Sequence, residues 1–136
     1  MVRNPTVLFV DPEKMARTMF DFRAAVLGIP HFIVTSAEAA VPILEEQKID
    51  VVVTDLIMPQ HDGVDLIRCI RETDYTKNIP IIVFTVGGNP QKVAEAISAG
   101  ATEVLKKQIT PMDKLVERIY AVASAARARE EMVSRF

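Results

Sequence analysis

Short runs of apolar residues alternate along this chain with longer stretches in which apolar residues recur every three or four positions. Most of the runs are rich in valine and isoleucine and carry no charge, which is typical of strands buried on both faces. We predict five strands, at Thr6–Val10, Phe32–Thr35, Val51–Thr54, Ile81–Phe84 and Glu103–Leu105. The longer stretches predict five helices, over residues 13–28, 37–47, 63–73, 90–99 and 111–133.

Residues that start or stop helices lie at the boundaries of these stretches. Gly28 and Gly100 follow the first and fourth helical stretches, and Asn89 with Pro90 precedes the fourth. These are the residue types that favour helix ends and helix starts, respectively. Pro42 is an exception because it lies inside the second stretch, where it removes a backbone hydrogen bond. We therefore expect a kink or a late start in the second helix.

Strands that alternate with helices favour a parallel sheet covered by helices on both faces. With right-handed crossovers, the economical arrangement is a flavodoxin-like, doubly wound α/β fold with five parallel strands in the order 2-1-3-4-5 and five helices. The chain has 136 residues and no flexible linker. We assign residues 1–126 to one domain and residues 127–136 to a charged extension of the last helix. That extension either frays in solvent, forms a homodimer contact or leads towards a linker.

Composition narrows the class of protein. The chain has 16 basic and 18 acidic residues without a block of like charge, which argues against a nucleic-acid surface. No apolar run approaches the ~20 residues of a membrane span, and the first residues lack a signal-peptide core. We therefore expect a cytoplasmic protein. The single Cys69 lies in a helical apolar pattern, so we expect it to be a small buried residue.

Polar side chains stand where four of the predicted strands end. Following the first, third, fourth and fifth strands in turn, they are Asp11, Asp55, Thr85 and Lys107. Because the carboxyl ends of parallel strands share one edge of the sheet, we expect these side chains to converge there. Two neighbouring carboxylates repel each other unless a proton or a cation lies between them.

This set of groups predicts a chemistry. Oxygen ligands favour a hard cation, and Mg²⁺ prefers few carboxylates together with water and phosphate oxygens. A bound Mg²⁺ and a nearby ammonium attract a phosphoryl group, which a carboxylate can attack to give an acyl phosphate. Thr85 can donate a hydrogen bond to a phosphoryl oxygen, and Lys107 can balance its charge.

Residues ~5–125 resemble a response-regulator receiver domain, the phosphoacceptor of two-component signalling. The segments that carry the resemblance are VLFVDPE, TDLIMPQHDG, VFT and AGATEVLKK, and they occur in the family's order. The resemblance implies that Asp55 is the phosphoacceptor and Asp11 an acid of the magnesium site. It also implies that the backbone carbonyl of Ile57 binds the metal, that Thr85 supplies the switch hydroxyl and that Lys107 pairs with the phosphate.

The resemblance implies partners as well. The phosphoryl donor would be a histidine kinase or a phosphotransfer protein that binds near the first helix. Phosphorylation would then alter a surface that engages a downstream protein, whose identity the sequence does not give. It implies a signalling domain that at most assists its own phosphorylation and dephosphorylation, and so it does not imply an enzyme in the ordinary sense.

The metal site departs from the family pattern. Pro12 stands where the family usually has a second acid, so Mg²⁺ affinity should fall. Glu13 is the candidate substitute ligand because its side chain is one carbon longer than that of aspartate. The other interpretation of Glu13 is an acid in the first turn of a helix, where the helix dipole favours it.

The switch region departs too. Gln108 replaces the proline that usually follows the lysine, and a cis bond before a non-proline residue costs ~3 kcal/mol. We therefore expect a trans bond there and a different direction for Lys107. Val104 stands at a position that is commonly Tyr or Phe, and a valine is small and stiff. Any switch must then use backbone or helix shifts.

Three functions compete. The first is a stand-alone receiver that is phosphorylated on Asp55 with Mg²⁺. The second is a degenerate receiver, a phosphorylation-independent interaction module in which Pro12 has disabled the metal site. The third is a flavodoxin-like cofactor enzyme or an aspartate-nucleophile phosphatase. The acidic segment after the first strand disfavours a flavin phosphate site, and Ile57 stands where the phosphatase needs a second acid.

Overall fold

The computed structural model describes residues 3–87 and 89–136, and its five strands form one parallel sheet in the order β2-β1-β3-β4-β5. The strands are β1 Val7–Val10, β2 His31–Val34, β3 Val51–Thr54, β4 Ile81–Thr85 and β5 Glu103–Lys106. The helices are α1 Lys14–Leu27, α2 Ala37–Glu46, α3 Gly63–Glu72, α4 Pro90–Ala99 and α5 Met112–Ser134. The predicted flavodoxin-like α/β fold and strand order are confirmed, and every boundary that differs does so by a single residue.

Two hydrophobic cores lie on the two faces of the sheet. Alternate residues of a strand point to opposite faces, so β1 sends Leu8 and Val10 into one core and Val7 and Phe9 into the other. Helices α2, α3 and α4 cover the first core, and α1 and α5 cover the second. The strands β1, β3 and β4 are buried throughout, whereas the edge strand β2 is half-buried along its length. This burial explains why the inner strands are continuously apolar.

The register of the sheet brings two strand ends together. Val10 pairs with Thr54 across β1 and β3, so the residues that follow, Asp11 and Asp55, leave the sheet side by side. The backbone N–H of Asp55 donates to the carbonyl of Val10 over 2.9 Å, which extends the ladder to this point. Strand β5 pairs with β4, and a short 3₁₀ turn, Lys107–Ile109, follows it. The fold thus delivers both acids and Lys107 to one edge.

Two local predictions are corrected. Helix α2 does not start late, because the Ser36 hydroxyl caps it at Ala37 by accepting from the N–H of Ala39, and it continues past Pro42 to Glu46; a kink at Pro42 stays a prediction. Cys69 is exposed, although we expected a buried residue. It lies to one side of the arc that α3 buries, and that arc is Val64, Leu66, Ile67 and Ile70.

No helix within residues 3–87 and 89–136 is both long enough and apolar enough to cross a membrane. The expected cytoplasmic location stays a prediction. Helix α5 runs without a break from Met112 to Ser134, across the predicted boundary at residue 127. The division into residues 1–126 and 127–136, and the role of the extension, therefore stay predictions.

Candidate functional site

Two acids lie side by side at the carboxyl edge of the sheet, and together with Lys107 they form the site that we call the pocket. Asp11 is 1% exposed and Asp55 is 8% exposed, so both carboxylates are largely removed from water. One oxygen of each is held by the backbone. The N–H of Glu13 donates to Oδ1 of Asp11 over 2.8 Å, and the N–H of Leu56 donates to Oδ1 of Asp55 over 2.7 Å. These bonds fix the direction of the remaining oxygen of each acid.

The remaining oxygens share one ammonium group. Nζ of Lys107 lies 2.8 Å from Oδ2 of Asp11 and 3.3 Å from Oδ2 of Asp55. The lysine side chain is only 10% exposed, and its Nζ lies 5.8 Å from the centre of the Phe84 ring. No cis peptide bond occurs in the described residues, in line with Gln108 at the position after Lys107. Although we expected Lys107 to take a different direction, it reaches both acids.

Burial and charge oppose each other in this pocket. Burial raises the pKa of the Asp11 carboxyl, although the Lys107 ammonium and the N–H of Glu13 lower it. Burial alone lowers the pKa of Lys107, but the close contact with the Asp11 carboxylate and the negative charge of Asp55 raise it by more, so the net shift is upward. Lys107 therefore remains a cation at neutral pH. With both acids ionised, the three groups together carry one negative charge.

One observation bears on the predicted Mg²⁺. Oδ2 of Asp11 is buried and lies at ion-pair distance from Lys107, but the angle is poor for a hydrogen bond, so this oxygen has no hydrogen-bond donor. A buried carboxylate oxygen without a donor fits a hard cation. The side chain of Glu13 is half-exposed, with its Oε1 3.8 Å from Nζ of Lys107. Within the described residues, no three acidic, histidine or cysteine side chains form a metal cluster.

The two remaining predicted residues lie at the same edge. Thr85 is the last residue of β4 and is buried, whereas Ile57 lies in the loop after β3 and is exposed. The two acids and Lys107 are thus in contact, and Glu13 lies at the rim. This edge offers a metal two carboxylates and backbone carbonyls such as that of Ile57. These are oxygen ligands of the kind that Mg²⁺ prefers, but only two of them are charged.

Sequence reasoning missed two residues that shape the pocket. The guanidinium of Arg17 donates to the backbone carbonyl of Asp11 over 3.0 Å, which ties α1 to the acid. Gly63, at the start of α3, passes so close to the loop that an added Cβ would lie 2.9 Å from Cα of Leu56 and closer still to the carbonyl oxygen of Asp55. The Asp-Gly pair in the sequence was a signal for Gly63. No sequence signal pointed to Arg17.

Known proteins share both the sequence pattern and the fold. The family described as "Response regulator receiver domain" matches residues 7–120. A protein described as "Probable chemotaxis protein CheY" of Rhizobium etli is 32% identical over 122 residues, which cover 88% of this chain and 92% of that protein. The two-component response regulator ORR2 of Oryza sativa subsp. indica is 29% identical over 90% of this chain and 47% of its own length. The chain thus spans about half the length of some relatives that it matches.

Solved structures agree on the fold. The response regulator receiver protein from Pseudomonas putida superposes with a TM-score of 0.80 at 29% identity, covering 89% of this chain and 99% of that chain. The chemotaxis response regulator CheY4 of Vibrio cholerae gives a TM-score of 0.80 at 24% identity and covers 88% of this chain and 99% of that chain, a likeness that concerns the fold alone. Since the family match runs from β1 into α5, the chain belongs to the response-regulator receiver domains of two-component systems, a family of signalling domains rather than classical enzymes.

Proposed function

We propose that this receiver domain accepts a phosphoryl group on Asp55 with the help of Mg²⁺ and then switches a protein-interaction surface. Aspartyl phosphorylation with Mg²⁺ is a general property of the family. The observation that carries the proposal for this chain is that Oδ2 of Asp55 and Oδ2 of Asp11 both face the ammonium of Lys107. Such a pocket concentrates nucleophile and countercharge at one point.

The chain's own residues account for the transfer. An oxygen of Asp55 forms a bond to phosphorus, the bond between phosphorus and the donor's histidine nitrogen breaks, and the nitrogen keeps the electron pair. Lys107 then pairs with a phosphoryl oxygen, which carries more negative charge than the carboxylate it replaces. The hydroxyl of Thr85 donates to a second phosphoryl oxygen. Because Leu56 N–H already holds the other carboxylate oxygen, Asp55 is oriented before the donor arrives.

The proposed metal ligands are Asp11, Asp55 and the backbone carbonyl of Ile57. Bound Mg²⁺ would neutralise charge on the transferring group and on both acids. Pro12 supplies neither a carboxylate nor an N–H, so we propose that the affinity for Mg²⁺ is weakened. The side chain of Glu13 is half-exposed and lies beside Lys107, so Glu13 can become a ligand only if its carboxylate turns towards Asp11 and Asp55.

The proposed donor is a histidine kinase or a phosphotransfer protein. Helix α1 begins directly after the acidic segment, and it carries an exposed apolar stripe that consists of Met15, Met19, Phe22 and Val26. Exposed apolar side chains beside a reactive group favour docking of a protein partner. The downstream protein is the second partner of this proposal.

The test is phosphorylation by a small donor. The protein, incubated with Mg²⁺ and acetyl phosphate, should gain the mass of one phosphoryl group, and Asp55→Asn should abolish the gain. Asp74→Asn is the matched control because the Asp74 side chain is fully exposed, and it should leave the gain unchanged. If wild-type protein gains no mass under any Mg²⁺ or donor concentration, the proposal is wrong.

A second candidate function follows from Pro12 and from the ammonium that already bridges the two acids. In a degenerate receiver, this ion pair would be the permanent state of the pocket, and the protein would bind its partner without phosphorylation. Mg²⁺ with beryllofluoride would then leave the amide NMR spectrum unchanged, and Pro12→Asp would recover a response. A wild-type response rules this function out.

A further inference from the structure

Adjacent residues of one turn reach in two directions. The 3₁₀ turn Lys107–Ile109 sends the side chain of Lys107 inward to the two acids. The side chain of Gln108 instead extends across the surface, and its amide Nε2 donates to the backbone carbonyl of Val86. Because Val86 directly follows Thr85, the turn touches both the pocket and the loop that leaves the proposed switch residue.

This contact is isolated. Strands β4 and β5 pair from Ile82 to Thr85, so their loops leave the sheet as neighbours. Beyond that ladder, the Gln108 amide makes the one hydrogen bond between the two loops in the part of the chain that the structure describes. Val86 is exposed. Gly87 has open space around it, because the nearest atom to an added Cβ would be Nε2 of Gln108, at 3.9 Å. Among the described residues, little else holds Val86 and Gly87 in place.

The far end of the loop is anchored separately. The Asn89 side chain caps α4 by accepting from the N–H of Lys92 over 2.8 Å. The ammonium of Lys92 lies 2.8 Å from Oδ2 of Asp62, which itself caps α3. The position of Val86 and Gly87 is therefore set by Thr85 on one side, by α4 on the other and by Gln108 from across the gap.

We propose that Gln108 is a positioning residue that couples the placement of Lys107 to the β4–α4 loop through its hydrogen bond to Val86. A displacement of the Lys107 backbone then pulls on the loop, and a displacement of the loop shifts Lys107. This coupling needs no aromatic side chain, so it offers a route for the signal in a chain that has Val104 where an aromatic residue is common. The role of this coupling in carrying a phosphorylation signal rests on the proposed function. The mechanical coupling itself does not depend on phosphorylation.

The experiment that tests the coupling uses the unphosphorylated protein. Lys107→Met removes the ammonium from the pocket, and the resulting amide chemical-shift changes are measured in wild type and in Gln108→Leu. We expect the changes at Val86 and Gly87 to fall by about half or more in the Gln108→Leu background, since the bridging bond is gone. The changes at Phe84 should persist, because that ring lies beside Nζ of Lys107 and feels its loss directly.

Matched variants separate the hydrogen bond from a general effect on the turn. Gln108→Lys keeps a donor of sufficient reach and should retain the loop response, whereas Gln108→Glu, which cannot donate at neutral pH, should lose it. Ile109→Ala alters the exposed neighbour in the same turn and should leave the response unchanged. Equal changes at Val86 and Gly87 in wild type and Gln108→Leu overturn the proposal, as does loss of the response in Ile109→Ala.

Beryllofluoride with Mg²⁺ extends the test to the phosphorylated state. In wild type, we expect shifts at Leu56 in the pocket and at Val86 and Gly87 in the loop. In Gln108→Leu, the Leu56 shift should remain while the loop shifts shrink by about half or more. If wild type shows no shift at Leu56, the proposed function fails, and the Lys107→Met comparison still decides on the coupling. If the loop shifts in Gln108→Leu equal those of wild type, Gln108 carries no signal.

Discussion

At the pocket, the ammonium of Lys107 offsets part of the negative charge of the two acids. Asp11 and Asp55 face one ammonium, and the position that would add a third carboxylate is Pro12. In the proposed function, a divalent cation would bind beside Lys107 with one ligand fewer than the family pattern implies. Because a resident ammonium repels an incoming Mg²⁺, we expect both features to lower the affinity for Mg²⁺.

Replacement of Pro12 by an acid should reverse part of this loss. We expect Pro12→Asp to raise the Mg²⁺ affinity by about tenfold or more, because a third carboxylate adds both a ligand and a negative charge. The measurement is an Mg²⁺ titration that follows the amide shifts of Asp11 and Leu56. Pro12→Asn is the control, since it has the same size without the charge, and it should give a smaller gain. Equal affinities for wild type and Pro12→Asp would mean that position 12 does not face the metal.

Single residues show how far the sequence alone could lead. Asp11, Asp55 and Lys107 were found because the end of a parallel strand fixes where the next residue lies. The contacts of Arg17 and Gln108 could not be found in this way, since each depends on how a long side chain crosses between separate elements. Cys69 failed for a different reason: an apolar residue can occupy the exposed side of a helix at little cost, so composition did not decide its burial.

Among the secondary-structure elements, α3 and α4 are joined by one guanidinium. Arg71 donates to the carbonyl of Gly100 through Nε and a terminal nitrogen, over 3.0 and 2.8 Å. Its other terminal nitrogen donates to the carbonyls of Lys77 and Ile79. Burial lowers the pKa of Arg71. The cost of burying the guanidinium is offset by its hydrogen bonds to carbonyls at the end of α4 and before β4.

We expect Arg71→Met to lower the free energy of unfolding by about 2–3 kcal/mol, because three carbonyls lose their donor while the apolar stem of the side chain is kept. Urea denaturation measures the change. Arg71→Lys should recover only a part, since an ammonium lacks the planar fork that reaches three oxygens. Arg68→Met, an exposed position on the same helix, is the control and should change stability little. An equal loss in both Met variants would count against the clamp.

A second link, between β5 and α5, should be visible in the pH dependence of stability. Arg118 makes two hydrogen bonds to the carboxylate of Glu103, which lowers the pKa of that carboxyl. A lowered folded-state pKa means that this stability is present above the ordinary value of 4.5 and is lost as the pH falls through the folded-state pKa. The pair is partly exposed, so solvent screening keeps its contribution small.

Glu103→Gln should therefore be less stable than wild type at about pH 7, and the difference should shrink as the pH falls towards about 3. Urea denaturation at a series of pH values measures it. Glu131→Gln, in the exposed last turns of α5, should track wild type throughout. A difference that stays constant across the series would show that the loss comes from packing rather than from the carboxylate charge.

The elements themselves were almost fully predictable, because glycine, proline and capping residues mark their ends. Pro42 is the instructive exception. A proline lacks the N–H that would bond back along the helix, and this predicted a kink or a late start. The Ser36 cap fixes the start at Ala37 instead, and the buried Ala37, Ala40 and Leu44 hold α2 against the sheet on both sides of the proline. Tertiary packing thus outweighs one missing hydrogen bond.

Across the whole molecule, the pocket and α1 form one continuous surface. The groove between α1 and the turn after β5 has a volume of about 440 Å³ and includes Lys107. Its apolar lining includes Met15, Met19, Phe84, Ile109 and Met112. The exposed stripe on α1 extends this apolar surface away from the pocket to Phe22 and Val26. A donor that docks here would present its histidine at Asp55, whereas a small phosphodonor needs only the pocket.

This difference yields a prediction for the whole surface. We expect Met19→Lys to slow phosphorylation by a phosphorylated histidine phosphotransfer protein by about tenfold, because it places a charge in the apolar contact. The rate with acetyl phosphate should not change, since the pocket is untouched. Met132→Lys, an exposed apolar position near the end of α5, should leave both rates unchanged. Equal slowing with both donors would place the defect in the pocket, and an unchanged protein-donor rate would show that the donor docks away from the middle of α1.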